Sequence, residues 1–281
     1  VDMKLFISLD MEGIAGTFNW QQETTQDRAL VRKWMAQQIE WVIEGIRQSP
    51  KNAMVTEITL ADSHSNGDNL AYDITGLDER LSLISGNPRP NYMMPTLDGS
   101  YDTVFLIGYH AGAGTPYGNM DHTYSNSTIH SLWINGKAMN ETFINSAYAS
   151  CFSIPVSLIV GDKALKDQVM VEGGMPWVEF VVTKEALFKF AAKQRPLECV
   201  REETSKAVQK ALAKDFKKLP LYGFQKPYEL KIEFQTSNQA DFASMIPLVE
   251  RIDGRTLRFV SEDFKQIFEA CIYLPALARQ G

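Results

Sequence analysis

Short apolar runs alternate with longer amphipathic segments up to about residue 182. Five runs have the length expected of buried strands, at residues 4–7, 57–61, 81–84, 103–108 and 155–160. Apolar side chains recur at helical spacing over residues 28–47, and residues 140–152 predict a second helix with Asn140 as its N-cap. This order of strands and helices predicts an α/β fold with a largely parallel sheet flanked by helices.

Two segments within this part predict other structure. Residues 14–26 are polar and predict a loop. Residues 131–134 lead into Asn135-Gly136, a pair that readily adopts the positive φ angles of a two-residue turn, so a β-hairpin is expected there.

The pattern changes beyond about residue 183. A long charged helix is predicted over residues 196–215, a last helix over 262–277, and strands at 228–236, 249–252 and 256–260. We therefore predict an α/β domain over residues 1–182 and a smaller α+β portion over residues 183–281. The second portion is either a separate lobe or a lobe of the same domain.

Composition narrows the classes of protein to consider. The chain has 281 residues, of which 44% are apolar and 22% charged, which is typical of a folded domain. Its net charge of −6 argues against nucleic-acid binding, and no apolar stretch approaches the roughly 18 to 20 residues that cross a bilayer. Three widely spaced cysteines argue against a disulfide framework, so a reduced, cytoplasmic location is expected.

Candidate chemistry collects where predicted strands end. Asp10 and Glu12 follow the first strand and, by alternation along an extended backbone, point to the same side. His64 follows the second strand and His110 the strand at residues 103–108. Each of these residues alone is compatible with an ordinary surface position. In an open parallel sheet, however, ligands bind outside the carboxyl ends of the strands, and the chain has only four histidines.

Imidazole and carboxylate together suit zinc. Two zinc ions a few ångströms apart need about five or six protein ligands, with a carboxylate shared between the metals. Asp10, Glu12, His64 and His110 supply four ligands, and spacing alone does not choose the fifth among these acids: Asp62, Asp121, Glu141 and Asp162.

The remaining histidines have weaker signals. His122 follows a glycine-rich loop, a placement that fits a proton shuttle or nucleophile brought over a site, although a loop histidine without a role is equally compatible. His130, at the start of the predicted hairpin, is expected to be structural or exposed.

Three motifs together resemble the DppA-type zinc D-aminopeptidases: Asp10-Met11-Glu12-Gly13, Asp62-Ser63-His64-Ser65, and Gly108-Tyr109-His110-Ala111 followed by Thr115-Pro116 and His122. The resemblance implies that His122 is catalytic. It also implies that two zinc ions per subunit are held by Asp10, Glu12, His64, His110 and Glu141.

The resemblance implies a dinuclear zinc aminopeptidase that releases N-terminal residues, expected to be D-amino acids, from short peptides or amino-acid amides. Zinc lowers the pKa of bound water to about 7, so hydroxide attack near neutral pH is expected. A homo-oligomer, in the form of a decameric ring with an enclosed chamber, is also implied. A zinc amidase acting on another amide and a metal-stabilised binding protein without turnover are the alternatives.

Overall fold

The computed structural model describes residues 2–281, which form a parallel sheet, an antiparallel sheet, a separate hairpin and seven α-helices. The strands are β1 (Met3–Leu9), β2 (Val55–Asp62), β3 (Leu81–Ile84), β4 (Thr103–Tyr109), β5 (Ile129–Ile134), β6 (Lys137–Ala138), β7 (Val156–Gly161), β8 (Glu179–Val182), β9 (Lys184–Phe188), β10 (Ala191–Gln194), β11 (Tyr228–Phe234), β12 (Glu250–Arg251) and β13 (Thr256–Ser261).

The helices are α1 (Gln21–Thr24), α2 (Arg28–Gln48), α3 (Glu141–Ser150), α4 (Lys163–Val169), α5 (Leu197–Ala213), α6 (Ser237–Ala243) and α7 (Phe264–Ala278). Short 3-10 helices occupy Asn52–Met54, Tyr72–Leu77 and Phe216–Lys218. No α-helix within residues 2–281 combines the length and apolar composition needed to cross a membrane.

The first sheet has six parallel strands in the order β3-β2-β1-β4-β7-β8. Strand β1 lies at its centre, between β2 and β4. The three strands that precede Asp10, His64 and His110 are therefore direct neighbours, and their carboxyl ends meet at one edge. The predicted α/β class, with a largely parallel sheet flanked by helices, is confirmed.

The second sheet is antiparallel, with the order β12-β13-β11-β5-β6. Its β5–β6 hairpin turns at Asn135 (φ 48°) and Gly136 (φ 77°), which are the positive angles expected of an Asn-Gly turn. The hairpin predicted at this point is confirmed.

Helices from both parts of the chain cover the parallel sheet. On one face, Ile7 of β1 packs in a cluster with Ile39 of α2 and Val208 of α5. On the other, Leu106 of β4 belongs to a cluster with α3, α7 and the antiparallel sheet, and includes Phe268 of α7. These contacts favour the interpretation that residues 183–281 are a lobe of the same domain. The boundary at residue 182 stays a prediction.

Several short elements differ from the sequence-based prediction. The segment predicted as a loop over residues 14–26 contains α1, and strands β8, β9 and β10 and helices α4 and α6 were not predicted. Each of these elements has seven residues or fewer. The missed helices span two turns or fewer, which is too few for a helical period to stand out, and in the missed strands tertiary packing decides the conformation.

Candidate metal centre

The carboxyl ends of β1, β2 and β4 place the first acid and two histidines side by side. Asp10 immediately follows β1, and its backbone NH donates to the carbonyl of Ile107 in β4 at 2.8 Å. At this crossing Gly108 has φ +77°, and a Cβ there would lie 2.1 Å from the carbonyl oxygen of Asp10. The close approach of the two strand ends therefore requires glycine at position 108.

Asp10 lies between the two histidines. Its Oδ1 is 3.0 Å from His64 Nδ1, and its Oδ2 is 3.3 Å from His110 Nε2. The Glu12 side chain also lies beside His64, with Oε2 3.3 Å from His64 Nδ1. All four residues are buried. The two oxygens of a single carboxylate thus face separate imidazoles.

Glu141 enters the site as the first residue of α3. Its Oε1 lies 3.4 Å from His110 Nε2 and accepts a hydrogen bond from the backbone NH of Tyr124 at 2.8 Å. Asn140 caps the helix, because its side-chain oxygen accepts from the backbone NH of Phe143 at 2.8 Å. The cap fixes the direction in which α3 begins, and with it the position of the glutamate.

The other three acids considered from the sequence are engaged elsewhere. Asp62 accepts hydrogen bonds from Asn69 and Leu70, Asp162 caps α4, and Asp121 pairs with Lys189 at 3.3 Å. The structure therefore brings together Asp10, Glu12, His64, His110 and Glu141.

The donor atoms form three groups, of which one contains Glu12, His110 and His122 and the other two share Asp10. Of the two that share Asp10, one adds Glu12 and His64 and the other adds His110 and Glu141; within each of the three groups, donor atoms lie within 4.8 Å of one another. Three of the atoms, Asp10 Oδ2, Glu12 Oε2 and His110 Nε2, are buried and have no hydrogen-bond partner among residues 2–281. Buried polar atoms without partners are costly, so this donor set fits bound cations, and its nitrogen and oxygen donors suit zinc.

Burial and the charges of neighbouring residues shift the pKa values of the donor side chains in different directions. Burial, reinforced by the charge of Glu12, raises the pKa of Asp10. Burial also acts to raise the pKa of Glu12, but the surrounding histidines, His64 first, outweigh it and hold that pKa well below its usual value. In turn, burial acts to lower the pKa of His110, but Glu141 outweighs it and raises that pKa well above 6.5. Because ligation requires an unprotonated imidazole, protons compete with metal for this site.

His122 lies at the edge of the donor set. Its ring stacks on that of His110, with centroids 4.3 Å apart and planes within 6°. Its Nδ1 donates to the carbonyl of Met120 at 2.9 Å, because a carbonyl only accepts. Nε2 is therefore unprotonated in the neutral ring, and it lies 3.5 Å from Glu141 Oε1 and 3.8 Å from Glu12 Oε1. This placement is compatible with the predicted catalytic role and also with metal ligation. His130, in contrast, is exposed on β5.

Two further residues in contact with the donors were missed from the sequence. Glu23 Oε1 lies 2.6 Å from His64 Nε2, the ring nitrogen that points away from Asp10. Trp20 donates from Nε1 to Glu12 Oε1 at 2.8 Å, and its ring meets that of His122 edge-on. Both residues lie in the segment predicted as a loop. Their spacing of three, which puts side chains on one side of a helical turn, is the only local signal for them.

A buried hydrogen-bond network connects the elements beneath the site. Asn145 of α3 donates to the hydroxyl of Tyr109 at 2.9 Å and accepts from the hydroxyl of Tyr124 at 2.6 Å. The Tyr109 hydroxyl also lies 2.7 Å from that of Ser8. The network therefore joins β1, β4 and α3, which are the elements that carry Asp10, His110 and Glu141.

A cavity of about 310 Å³ opens over the donors. Its wall includes Asp10, Glu12, His64, His122 and Glu141, together with Tyr92, the 124–127 segment and Arg279. A larger cavity of about 520 Å³ beside Tyr117 and Gln168 is lined by none of the candidate ligands. The smaller cavity is therefore the candidate substrate site, because the candidate ligands line it.

Comparison with known proteins agrees with this geometry. The profile of peptidase family M55, described as D-aminopeptidase, matches residues 3–272. A D-aminopeptidase of Bacillus subtilis (strain 168) is 31% identical over an alignment of 283 positions that covers 98% of each chain. The solved structure of the Zn-dependent D-aminopeptidase DppA from Bacillus subtilis, described as a self-compartmentalizing protease, superimposes with a TM-score of 0.89 at 26% identity over 99% of each chain. The family resemblance predicted from the three motifs is confirmed.

Proposed function

The chain belongs to the D-aminopeptidase family of peptidases, and from this premise we propose that it is a zinc-dependent enzyme releasing N-terminal D-residues from short peptides or amino-acid amides. The observation that carries the proposal is the pair of donor groups sharing Asp10 at the floor of a cavity. A non-catalytic binding protein would not need such a cavity above its metal ligands.

We assign two zinc ions per subunit to these donors. Asp10 would contribute to both sites, Glu12 and His64 would complete one, and His110 and Glu141 would complete the other. The carboxylate between two imidazoles and the three buried donor atoms without partners support the assignment. When bound, zinc supplies a Lewis acid for the scissile carbonyl and lowers the pKa of water to about 7.

His122 is assigned the proton transfers, or nucleophilic attack, in the acyl transfer. The Met120 carbonyl holds Nδ1 protonated, which leaves Nε2 free to take a proton or to attack a carbonyl carbon. Stacking on His110 and the edge of Trp20 restrict the ring to one orientation. The residue therefore combines a fixed tautomer with a fixed position beside the cavity.

We further propose a homo-oligomer, in the form of a decameric ring, in the cytoplasm. The relative described as self-compartmentalizing supports assembly. Large apolar side chains are exposed on the described surface, among them Phe188 on the β9–β10 hairpin (76% exposed) and Leu248 after α6 (88% exposed), and such positions suit contacts between copies. A monomer in light scattering at working concentration would contradict this part of the proposal.

Metal analysis combined with a substrate panel tests the proposed activity. We expect about two zinc ions per chain, loss of turnover on chelation and recovery with added zinc. D-aminoacyl amides and D-peptides should be cleaved faster than their L counterparts, and N-acetylated analogues should not be cleaved. Cleavage of blocked substrates would identify an amidase instead. A chain without bound metal and without zinc-restored activity would overturn the proposal.

The variant His122→Ala separates catalysis from metal binding. We expect turnover to fall about 100- to 10,000-fold, the range for loss of a general acid–base group, with zinc content unchanged. Loss of zinc from this variant would instead make His122 a ligand.

A further inference from the structure

Arg279, the residue following α7, is the one arginine among the residues that line the cavity above the donors, and it is exposed to solvent. Every other arginine has an ion pair or a hydrogen bond from its side chain to a described residue. The guanidinium of Arg279 has neither within residues 2–281. It is thus a cation without a protein partner in a cavity with an acidic floor.

The backbone of Arg279 has a defined position relative to the donors. Its NH donates to the carbonyl of Pro275 at 3.3 Å, which continues the last turn of α7. Phe268 of α7 stacks on Tyr148 of α3 with ring centroids 3.9 Å apart, and α3 begins at Glu141. The side chain of Asn238 donates to the carbonyl of Gly281. The arginine and the metal ligands are therefore connected through packed helices.

A free peptide carries a charge at each end, and the cavity has a group for each. The positive amino terminus matches the carboxylates of the floor. A carboxylate fits the planar guanidinium, which donates two parallel hydrogen bonds to it. A volume of about 310 Å³ lies at the small end of the range for ligand cavities, so the two ends of the ligand are close together.

We propose that Arg279 binds the C-terminal carboxylate of the substrate, so that a peptide with a free carboxyl terminus is preferred over the same peptide as its amide. This inference rests on the proposed aminopeptidase function and adds a residue that determines its specificity.

The test compares D-alanyl-D-alanine with D-alanyl-D-alanine amide in the wild type, Arg279→Gln and Arg279→Lys, all loaded with zinc. In Arg279→Gln we expect KM for the free dipeptide to rise about tenfold and kcat/KM for the amide to change less than about twofold. Arg279→Lys keeps the charge but loses the paired hydrogen bonds. Its KM for the free dipeptide should therefore lie between the values of the wild type and of Arg279→Gln. The control Lys265→Gln removes a positive charge from the first turn of the same helix and should leave both substrates unaffected.

A loss shared equally by both substrates, or no change for either, would overturn the carboxylate assignment while leaving the aminopeptidase function in place. Calorimetric binding of the two compounds to zinc-loaded His122→Ala protein gives a readout that does not need turnover. There the free dipeptide should bind about tenfold more tightly than the amide, and Arg279→Gln should abolish that difference. Equal affinities before the substitution would contradict the inference even if the wild type proves inactive on both compounds.

Discussion

At the scale of single residues, Asp10 has the most distinctive position, because its two oxygens face two different imidazoles. A carboxylate placed in this way can serve two cations, whereas Glu12 lies 3.3 Å from His64 and 3.8 Å from His122, so its shortest histidine contact is with the His64 group. We expect Asp10→Ala to lose both zinc ions and Glu12→Ala to lose mainly one. Zinc per chain, measured by atomic emission after dialysis, distinguishes the two variants. Equal losses in both would show that Asp10 is not shared.

A second prediction concerns the carboxylate behind His64. Glu23 Oε1 lies 2.6 Å from His64 Nε2, and a carboxylate on the outer nitrogen of a ligand histidine fixes its ring and strengthens its basicity. We expect Glu23→Gln to weaken zinc affinity about 10- to 100-fold, as removal of such partners does elsewhere. A competition titration against a chelator of known affinity measures this directly.

The matched control for Glu23→Gln is Glu40→Gln, which removes the same charge from an exposed position on α2. The control should leave zinc affinity unchanged. If both variants bind zinc as the wild type does, the hydrogen bond to His64 does not contribute to the metal centre.

At the scale of elements, the approach of β1 to β4 fixes where the first ligands lie. Gly108 adopts φ +77°, and a Cβ there would meet the Asp10 carbonyl at 2.1 Å, so neither the angle nor the space allows a side chain. We expect Gly108→Ala to lower the free energy of unfolding by more than about 2 kcal/mol and to reduce zinc content, because the Asp10 backbone must move. Urea unfolding and metal analysis measure both effects.

Gly76→Ala is the control for Gly108→Ala, because a Cβ at position 76 would have no neighbour within 4 Å. Its effect should stay within about 0.5 kcal/mol. Equal stability of the two variants would mean that the strand ends can separate without cost.

The long elements and their order were predictable because each carries enough positions to show a period. The apolar runs of β1, β2 and β4 indicated a parallel sheet, and the rule that ligands lie at the carboxyl ends then grouped Asp10, His64 and His110. Glu141 needed the family resemblance, because spacing along the chain does not show where a helix begins in space. Glu23 was missed because a four-residue helix has no detectable period and its contact with His64 is purely tertiary.

At the scale of the whole molecule, residues far apart in sequence hold the loop that carries Asp10 and Glu12. Lys184, at the start of β9, is completely buried and donates from Nζ to the carbonyl and the hydroxyl of Thr17 at 2.5 and 2.8 Å. Its neighbour Thr183 donates to the carbonyl of Gly13 at 2.7 Å. Thr183 and Lys184, which follow the last strand of the parallel sheet, thus fix the loop near the start of the sequence that carries the first two acids.

The burial of Lys184 predicts how stability depends on pH. Burial lowers its pKa from 10.5 to about 7, although Asp162 and Glu12 act in the opposite direction. Between these two values the unfolded chain binds more protons than the folded one, so this group makes stability rise with pH, by at most about 1.4 kcal/mol per pH unit. Below the folded pKa its unfavourable contribution is complete and constant. We therefore expect the free energy of unfolding of wild type minus that of Lys184→Met to increase from about pH 7 to about pH 10. Urea unfolding of both proteins across this range measures the difference, and parallel pH profiles would show that Lys184 stays protonated in its buried site.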